Sequence, residues 1–293
     1  MLNRDKLHTL ISHQILPNSQ LNLVEIAKEE SCVIFHSSQD NGYHPYGNDW
    51  WTNGQSPYSF KYLSIDSLYP AEYFLPEGAH PEDAGGNAIY EYMQSIYTEL
   101  FGRNFSSILE LGTGGGGITR QFAKHGLDYV AVEGTQAGVQ CLVDIGIDPN
   151  RICHQNLKFL DYQNRSFDIV MCTEVAEHIE PFFASKIIEN CIKHSEVVWF
   201  SAADRNRHPH YHHMNELDIE IWDNLFAHMG YNFFVILNGL GGRASRLYLS
   251  EEMGMRVKQQ QDIKKYQALV QTIQQTIGNE NWEWLLNSHN NKS

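Results

Sequence analysis

The stretch from Ser107 to His125, SILELGTGGGGITRQFAKH, constrains this chain more than any other. It reads as a short apolar strand carrying Ile108, Leu109 and Leu111. A loop follows with five glycines among the six residues Gly112–Gly117, and then an amphipathic helix with Ile118, Phe122 and Ala123 on one side. Glycine lets the backbone adopt positive φ and approach a ligand closely. The first turn of a helix offers unpaired N–H groups and a dipole that favours an anionic group. A strand that turns through glycines into a helix start is therefore a cradle for a small molecule.

Two ligands compete for that cradle. Gly112-Thr-Gly114-Gly-Gly-Gly117 fits G-x-G-x-x-G, the dinucleotide fingerprint, with Glu133 about 20 residues on. Glu110 discriminates: a carboxylate at the strand end, two positions before the first glycine. It would repel a pyrophosphate and attract the cationic end of an amino acid. The string Glu110-Leu-Gly112-Thr-Gly114-Gly-Gly116 resembles motif I, E/D-x-G-x-G-x-G, of the class I S-adenosylmethionine (SAM)-dependent methyltransferases. The resemblance spans residues ~87–250 and is specific for the cofactor rather than the acceptor. It implies an α/β fold: a doubly wound, Rossmann-like methyltransferase sheet with helices on both faces.

The pattern of the chain agrees. Asn87–Phe101 has helical spacing, and from there strands and helices alternate. Strands are expected at Tyr129–Val132, Arg151–His154, Phe167–Cys172 and Val197–Ser201, with helices at Gln136–Ile145, Pro181–Ile192 and Glu216–Met229. Alternation of this kind builds a parallel sheet. Tyr231–Leu237 and Ala244–Leu249 predict a closing hairpin, which resembles the antiparallel last strand of the methyltransferase fold.

Ligands of such a sheet sit at the carboxyl ends of its strands. Glu133, after the second strand, would accept hydrogen bonds from a ribose diol, and Gly134 follows it. After the third strand, Asn156 stands where the resembling family usually has an Asp on the adenine amine, with Leu157 under the ring. An amide oxygen can accept the same bond, and Asp161 is the fallback. Thr173 follows the fourth strand, and Glu174-Val-Ala-Glu177-His178 comes next. At a helix head Glu174, Glu177 and His178 (i, i+3, i+4) would share one face. Two carboxylates that close repel unless a cation or proton separates them. Oxygen ligands with one imidazole suit Mg²⁺ or another divalent metal. The E-V-x-E-H string is similar to that of the ubiquinone-biosynthesis O-methyltransferases. It also resembles the small-RNA 2′-O-methyltransferases, in which Glu and His residues hold a metal beside the acceptor hydroxyl. The alternative is a helix start whose acids favour the dipole. After the fifth strand, His208, His210, His212 and His213 fall within six residues. Either the cluster is solvated, or His213 or His212 completes the metal sphere or acts as general base. With His178, His213 is the expected catalytic residue. The run from Ser201 to Trp222 loosely resembles a loop of bacterial natural-product and sugar methyltransferases.

Domain boundaries are expected at 1–85 for an N-terminal cap or lid, 86–250 for the methyltransferase domain and 251–293 for a C-terminal helical extension. The first segment carries a helix near Lys6–Ile15 and an aromatic, turn-rich run with Trp50, Trp51, Tyr58, Tyr62, Tyr69 and Tyr73. It reads as an ordered loop layer that packs on the main domain or lines a substrate pocket. In the extension, Ile263, Tyr266, Val270, Ile273 and Ile277 form a narrow seam, suited to docking on the domain or to a homodimer contact.

With 293 residues the chain is long enough for a sizeable core. A net charge of −14 disfavours phosphate backbones as partners. A small-molecule acceptor is therefore expected and nucleic acid is not. Five cysteines without C-x-x-C spacing suit a reducing compartment. No leader or membrane-spanning run is visible, so the expectation is cytoplasmic with no membrane partner. The resulting reading is methylation of a small natural-product or sugar-like hydroxyl, assisted by a divalent metal, a His base or both. An RNA 2′-O-methyltransferase, a carbon methyltransferase of a polyketide-like pathway and a silent scaffold stay open as alternatives.

Overall fold

The computed structural model describes residues 31–37, 58–74, 86–179, 183–203, 213, 215–237 and 245–277. The Lys6–Ile15 helix, Trp50, Trp51, His208, His210 and His212 lie outside the described residues. The chain divides into two compact units, Met1–Ser250 and Glu251–Ser293.

Composition predicts an ordered loop layer before residue 85, but two strands run there. β1 (Ser31–Ser37) and β2 (Tyr58–Ser64) pair antiparallel, Ser31 opposite Ser64 and Ser37 opposite Tyr58. The alternation of Tyr58, Phe60 and Tyr62 is a period of two, the signal of a strand. The short helix α1 (Ile65–Leu68) and a single 3₁₀ turn at Ala71–Phe74 follow β2.

The main sheet has seven strands: β3 (Ser107–Leu111), β4 (Asp128–Glu133), β5 (Ile152–His154), β6 (Ile169–Thr173), β7 (Val197–Ser201), β8 (Phe233–Leu237) and β9 (Ser245–Leu249). Their order is β5-β4-β3-β6-β7-β9-β8. The pairs from β5 to β7 are parallel, while β9 is antiparallel to both neighbours. This is the doubly wound, Rossmann-like sheet with its antiparallel closing hairpin.

Strand residues alternate between two helical layers. Leu109, Leu111, Val130, Val170, Cys172, Val198 and Phe200 pack with α5 (Ala184–Ile192) and α6 (Ile219–His228) in one core. Trp222 and Phe226 of α6 fill its centre, and Phe226 stacks on Tyr248 at 3.8 Å. The other face carries α2 (Gly86–Phe101) and α3 (Gly117–Lys124): Tyr92 meets Trp199 edge-on at 5.7 Å, and Thr119 bonds Glu110. A helix α4 (Gln136–Asp144) follows β4. The buried Cys172 and Cys191 behave as small core side chains, and Cys141, Cys153, Cys172 and Cys191 are free.

The second unit contains helix α7 (Glu251–Ile277). Along it Ile263 of the expected seam is exposed, and Arg256 pairs with Glu252 one turn back. Among the described residues no helix is long and apolar enough to cross a membrane.

Candidate active site

The parallel register brings the carboxyl ends of β3, β4 and β6 to one edge, where a cavity of about 420 Å³ opens. Gly112, Thr113, Gly114, Glu110, Glu133, Gly134, Asn156, Leu157 and Thr173 all line it. Gly112 and Gly114 have φ of 77° and 53°, left-handed conformations that favour glycine. Gly116 is different. It has φ of 76°, caps α3 and faces Leu142 and Ile145 rather than the cavity. Its lack of a side chain leaves room for those two side chains.

Glu110 is buried on the α2–α3 face and accepts from Thr119 Oγ1 at 2.6 Å. Burial, with a contribution from the nearby Glu133, pushes its carboxyl up to about 8. The expected fixed negative charge at the strand tip is thus a neutral acid below that pH in the empty protein. One hydroxyl donor does not replace the hydration an ion loses on burial.

Glu133 is held more fully. Its Oε2 accepts from Thr113 Oγ1 at 3.0 Å, and its Oε1 from Thr135 N at 2.9 Å and Oγ1 at 2.8 Å. Thr135 caps α4, its hydroxyl accepting from Gly138 N at 3.0 Å. Both acceptor sites of Oε1 are thus taken, while Oε2, whose second donor is Thr113 N at a long 3.4 Å, is the oxygen less committed within the protein and open to a ribose hydroxyl. Glu133→Ala is expected to weaken S-adenosylhomocysteine (SAH) binding at least ~10-fold, since charge-assisted hydrogen bonds are the strong ones. Calorimetric titration checks it, and an unchanged affinity removes the ribose assignment.

The Asn156 oxygen expected to face adenine is already engaged within the chain. Asn156 Oδ1 accepts from Lys158 N at 3.0 Å, capping a 3₁₀ turn, and Nδ2 is buried without a partner among the described residues. Asp161 is exposed and does not line the cavity. Lys158, which no motif flagged, is buried in the wall with Nζ 5.4 Å from the Phe183 ring centre.

The acidic motif departs from expectation. No helix starts at Glu174; a single 3₁₀ turn spans Ala176–His178 and α5 begins at Ala184. Glu174 has φ of 57°, alone among described non-glycine residues in being left-handed. Its N donates to Ser201 O at 3.0 Å, and its Oε1 accepts from Ser201 Oγ at 2.8 Å. It therefore does not share a helix face with Glu177 and His178. A non-glycine residue held in that conformation stores strain, and such strain gathers at functional sites.

Glu177, His178 and His213 do converge, with ligand atoms within 4.8 Å of one another. Glu177 is fully buried: Oε1 accepts from Ala203 N at 3.1 Å, and Oε2 has no partner among the described residues. Burial and then the neighbouring Glu174 raise its carboxyl well above the ordinary range. His178 lines the cavity, its Nδ1 3.0 Å from Tyr69 Oη. His213 packs edge-on to it at 4.8 Å and pairs through Nδ1 with Glu216. Tyr69, Tyr73 and Phe74, after β2, form an aromatic wall. Asp66 anchors that segment by accepting from Gln136 N at 2.7 Å.

A family model described as "Methyltransferase domain" matches residues 86–235. A ubiquinone biosynthesis O-methyltransferase of Coxiella burnetii is 29% identical over 110 residues, covering 34% of this chain and 44% of that protein. The chain thus matches less than half the length of the curated relatives. Among solved structures, the plantazolicin methyltransferase BpumL with a triazolic desmethylPZN analog and SAH has 13% identity and a TM-score of 0.47, over 60% of this chain and 75% of that one. The small RNA methyltransferase HEN1 has 15% identity and a TM-score of 0.43, over 55% of this chain and 25% of that one. With its sheet order, its glycine cradle and a match over half its length, the chain belongs to the methyltransferase domain family.

Proposed function

We propose that this chain transfers the methyl group of SAM to a hydroxyl of a small natural-product or sugar-like molecule, with Glu177, His178 and His213 serving the acceptor. The convergence of those three side chains beside the cofactor cavity carries the reading. The residues present fit SAM. Gly112 and Gly114 would admit its amino-acid end, Glu110 would hold its ammonium and Glu133 its ribose, with Asn156 and Leu157 beside its adenine. When bound, SAM supplies a methyl carbon already activated by the sulfonium.

Its methyl would pass from sulfur to the acceptor oxygen, leaving SAH. The hydroxyl proton passes to an imidazole nitrogen of His213 or His178. Alignment by the cavity walls supplies much of the acceleration. Glu177 with the imidazoles of His178 and His213 also fits a divalent ion that accepts nitrogen as well as oxygen donors, such as Mn²⁺. Such an ion lowers the pKa of a hydroxyl and fixes its position. The −14 charge and the aromatic wall of Tyr69 and Tyr73 support a small acceptor over nucleic acid.

Incubation with SAM and candidate acceptors, with and without a chelator, tests this reading. Expected is loss of methyl transfer on chelation, recovery with Mg²⁺ or Mn²⁺, and an unchanged SAH affinity. Full activity under chelation removes the metal and leaves a histidine as base.

A further inference from the structure

His213 reaches the site by an unusual route. The periodicity predicts a helix from Glu216, but α6 starts at Ile219. The residues before it are pinned to the acidic turn. Asn215 N donates to Glu177 O at 2.9 Å, and Asn215 Nδ2 to Ala176 O at 3.5 Å. Held there, His213 and Glu216 turn toward each other, with Nδ1 2.6 Å from Oε1 and the Glu216 side chain 5% exposed.

The two imidazoles of the site are tethered by different chemistry. A carboxylate only accepts, so opposite Glu216 the His213 Nδ1 must carry the hydrogen. The neutral ring then has its lone pair at Nε2. Tyr69, opposite His178 Nδ1, is a hydroxyl that can give or take, so it imposes neither tautomer.

Resting on the reading above that His213 serves the acceptor, we propose that Glu216 is a positioning residue. It locks His213 in the Nδ1–H tautomer and leaves Nε2 as the atom that serves Glu177, His178 and the acceptor. Partners behind a ligating histidine set its tautomer and its basicity in this way.

Long-range ¹H–¹⁵N correlation on the full chain with ¹⁵N-labelled histidine, on the alkaline side of the imidazole titration, reads the tautomer directly. In the wild type the His213 signals are expected with Nδ1 protonated and Nε2 bare. Glu216→Leu, which has no acceptor, is expected to release the ring into a tautomer mixture. The same variant should weaken Mn²⁺ binding ~10- to 100-fold, the usual effect of losing such a partner. Glu216→Gln, whose amide oxygen can still accept from Nδ1–H, is expected to restore the tautomer and most of the Mn²⁺ affinity. SAH affinity should hold within about twofold in both variants, which shows that the fold is intact. A wild-type His213 protonated at Nε2, or a Glu216→Leu spectrum identical to wild type, overturns the proposal. If the wild type fails to bind Mn²⁺ yet shows the locked tautomer, the metal reading falls and the role of Glu216 stands.

Discussion

Gly112→Ala should weaken SAH binding at least ~10-fold, and Gly112→Val about 100-fold, where 1.4 kcal/mol is a factor of ten. Two effects add at this position. The backbone has φ of +77°, where a Cβ costs roughly 1–2 kcal/mol. An added Cβ would also lie 2.6 Å from Val175 Cγ2 and 2.9 Å from Cγ1. Val175 can yield only by moving, and it sits between Glu174 and Glu177 in the turn that forms the site. The substitution thus disturbs both the cofactor cradle and the acidic turn. Gly126→Ala separates strain from clash. Gly126 has φ of +67° with nothing within 4 Å of the new Cβ. It should lose about 1 kcal/mol of stability and no SAH affinity. Calorimetry and thermal unfolding on both variants decide. Affinity within twofold of wild type for Gly112→Ala would mean that the cradle does not hold the cofactor.

What the sequence revealed and what it hid divide by the range of the interactions. The glycine loop was legible because strand, bend and helix start are contiguous. The sheet was legible because period-two and helical patterns alternate, and the chirality and adjacency rules leave few ways to arrange them. Glu133 was legible from its place at the carboxyl end of a strand. The acidic motif misled because its i, i+3, i+4 spacing was read as a helix. The backbone pays out instead through a left-handed Glu174, which is held by Ser201 on the next strand. Nothing local announces that partner. The same holds for Asn215, which pins His213 to a turn far back in the chain. Asn156 lies two residues past β5, and how its amide is engaged depended on the 3₁₀ turn at Lys158. Charge at Glu110 was the least legible property, because ionisation follows burial and burial is decided by the helices α2 and α3 above it.

That burial gives SAM and SAH binding a strong pH dependence. In the empty protein the Glu110 carboxyl titrates at about 8, raised by burial and opposed by the Thr119 hydrogen bond. The ligand's ammonium favours the ionised form, so binding drives a proton off Glu110 whenever the pH lies below that value. The sign follows. Affinity should climb as the pH rises toward about 8, by up to ~10-fold per pH unit. Above that range the ligand's own α-amino group, with an ordinary value of roughly 7.7–8.0, deprotonates and the gain ends. Stability of the empty protein runs the other way. A carboxyl whose folded value is raised stabilises the fold fully below its ordinary value of 4.5, and that contribution is lost as the pH rises through about 8. Ligand binding therefore grows tighter over the range in which the empty protein loses this stability, and the thermal shift produced by SAH should widen with pH. Glu110→Gln removes the titrating group while keeping an oxygen for Thr119. It should flatten the affinity profile below pH of about 8 and leave binding uniformly weak, because a neutral amide holds an ammonium less well than a carboxylate does. Titrations in buffers of different ionisation enthalpy count the proton directly. Should no proton be released near neutral pH in the wild type, the carboxyl is already ionised before the ligand arrives, and the acid at the strand tip is a fixed charge after all.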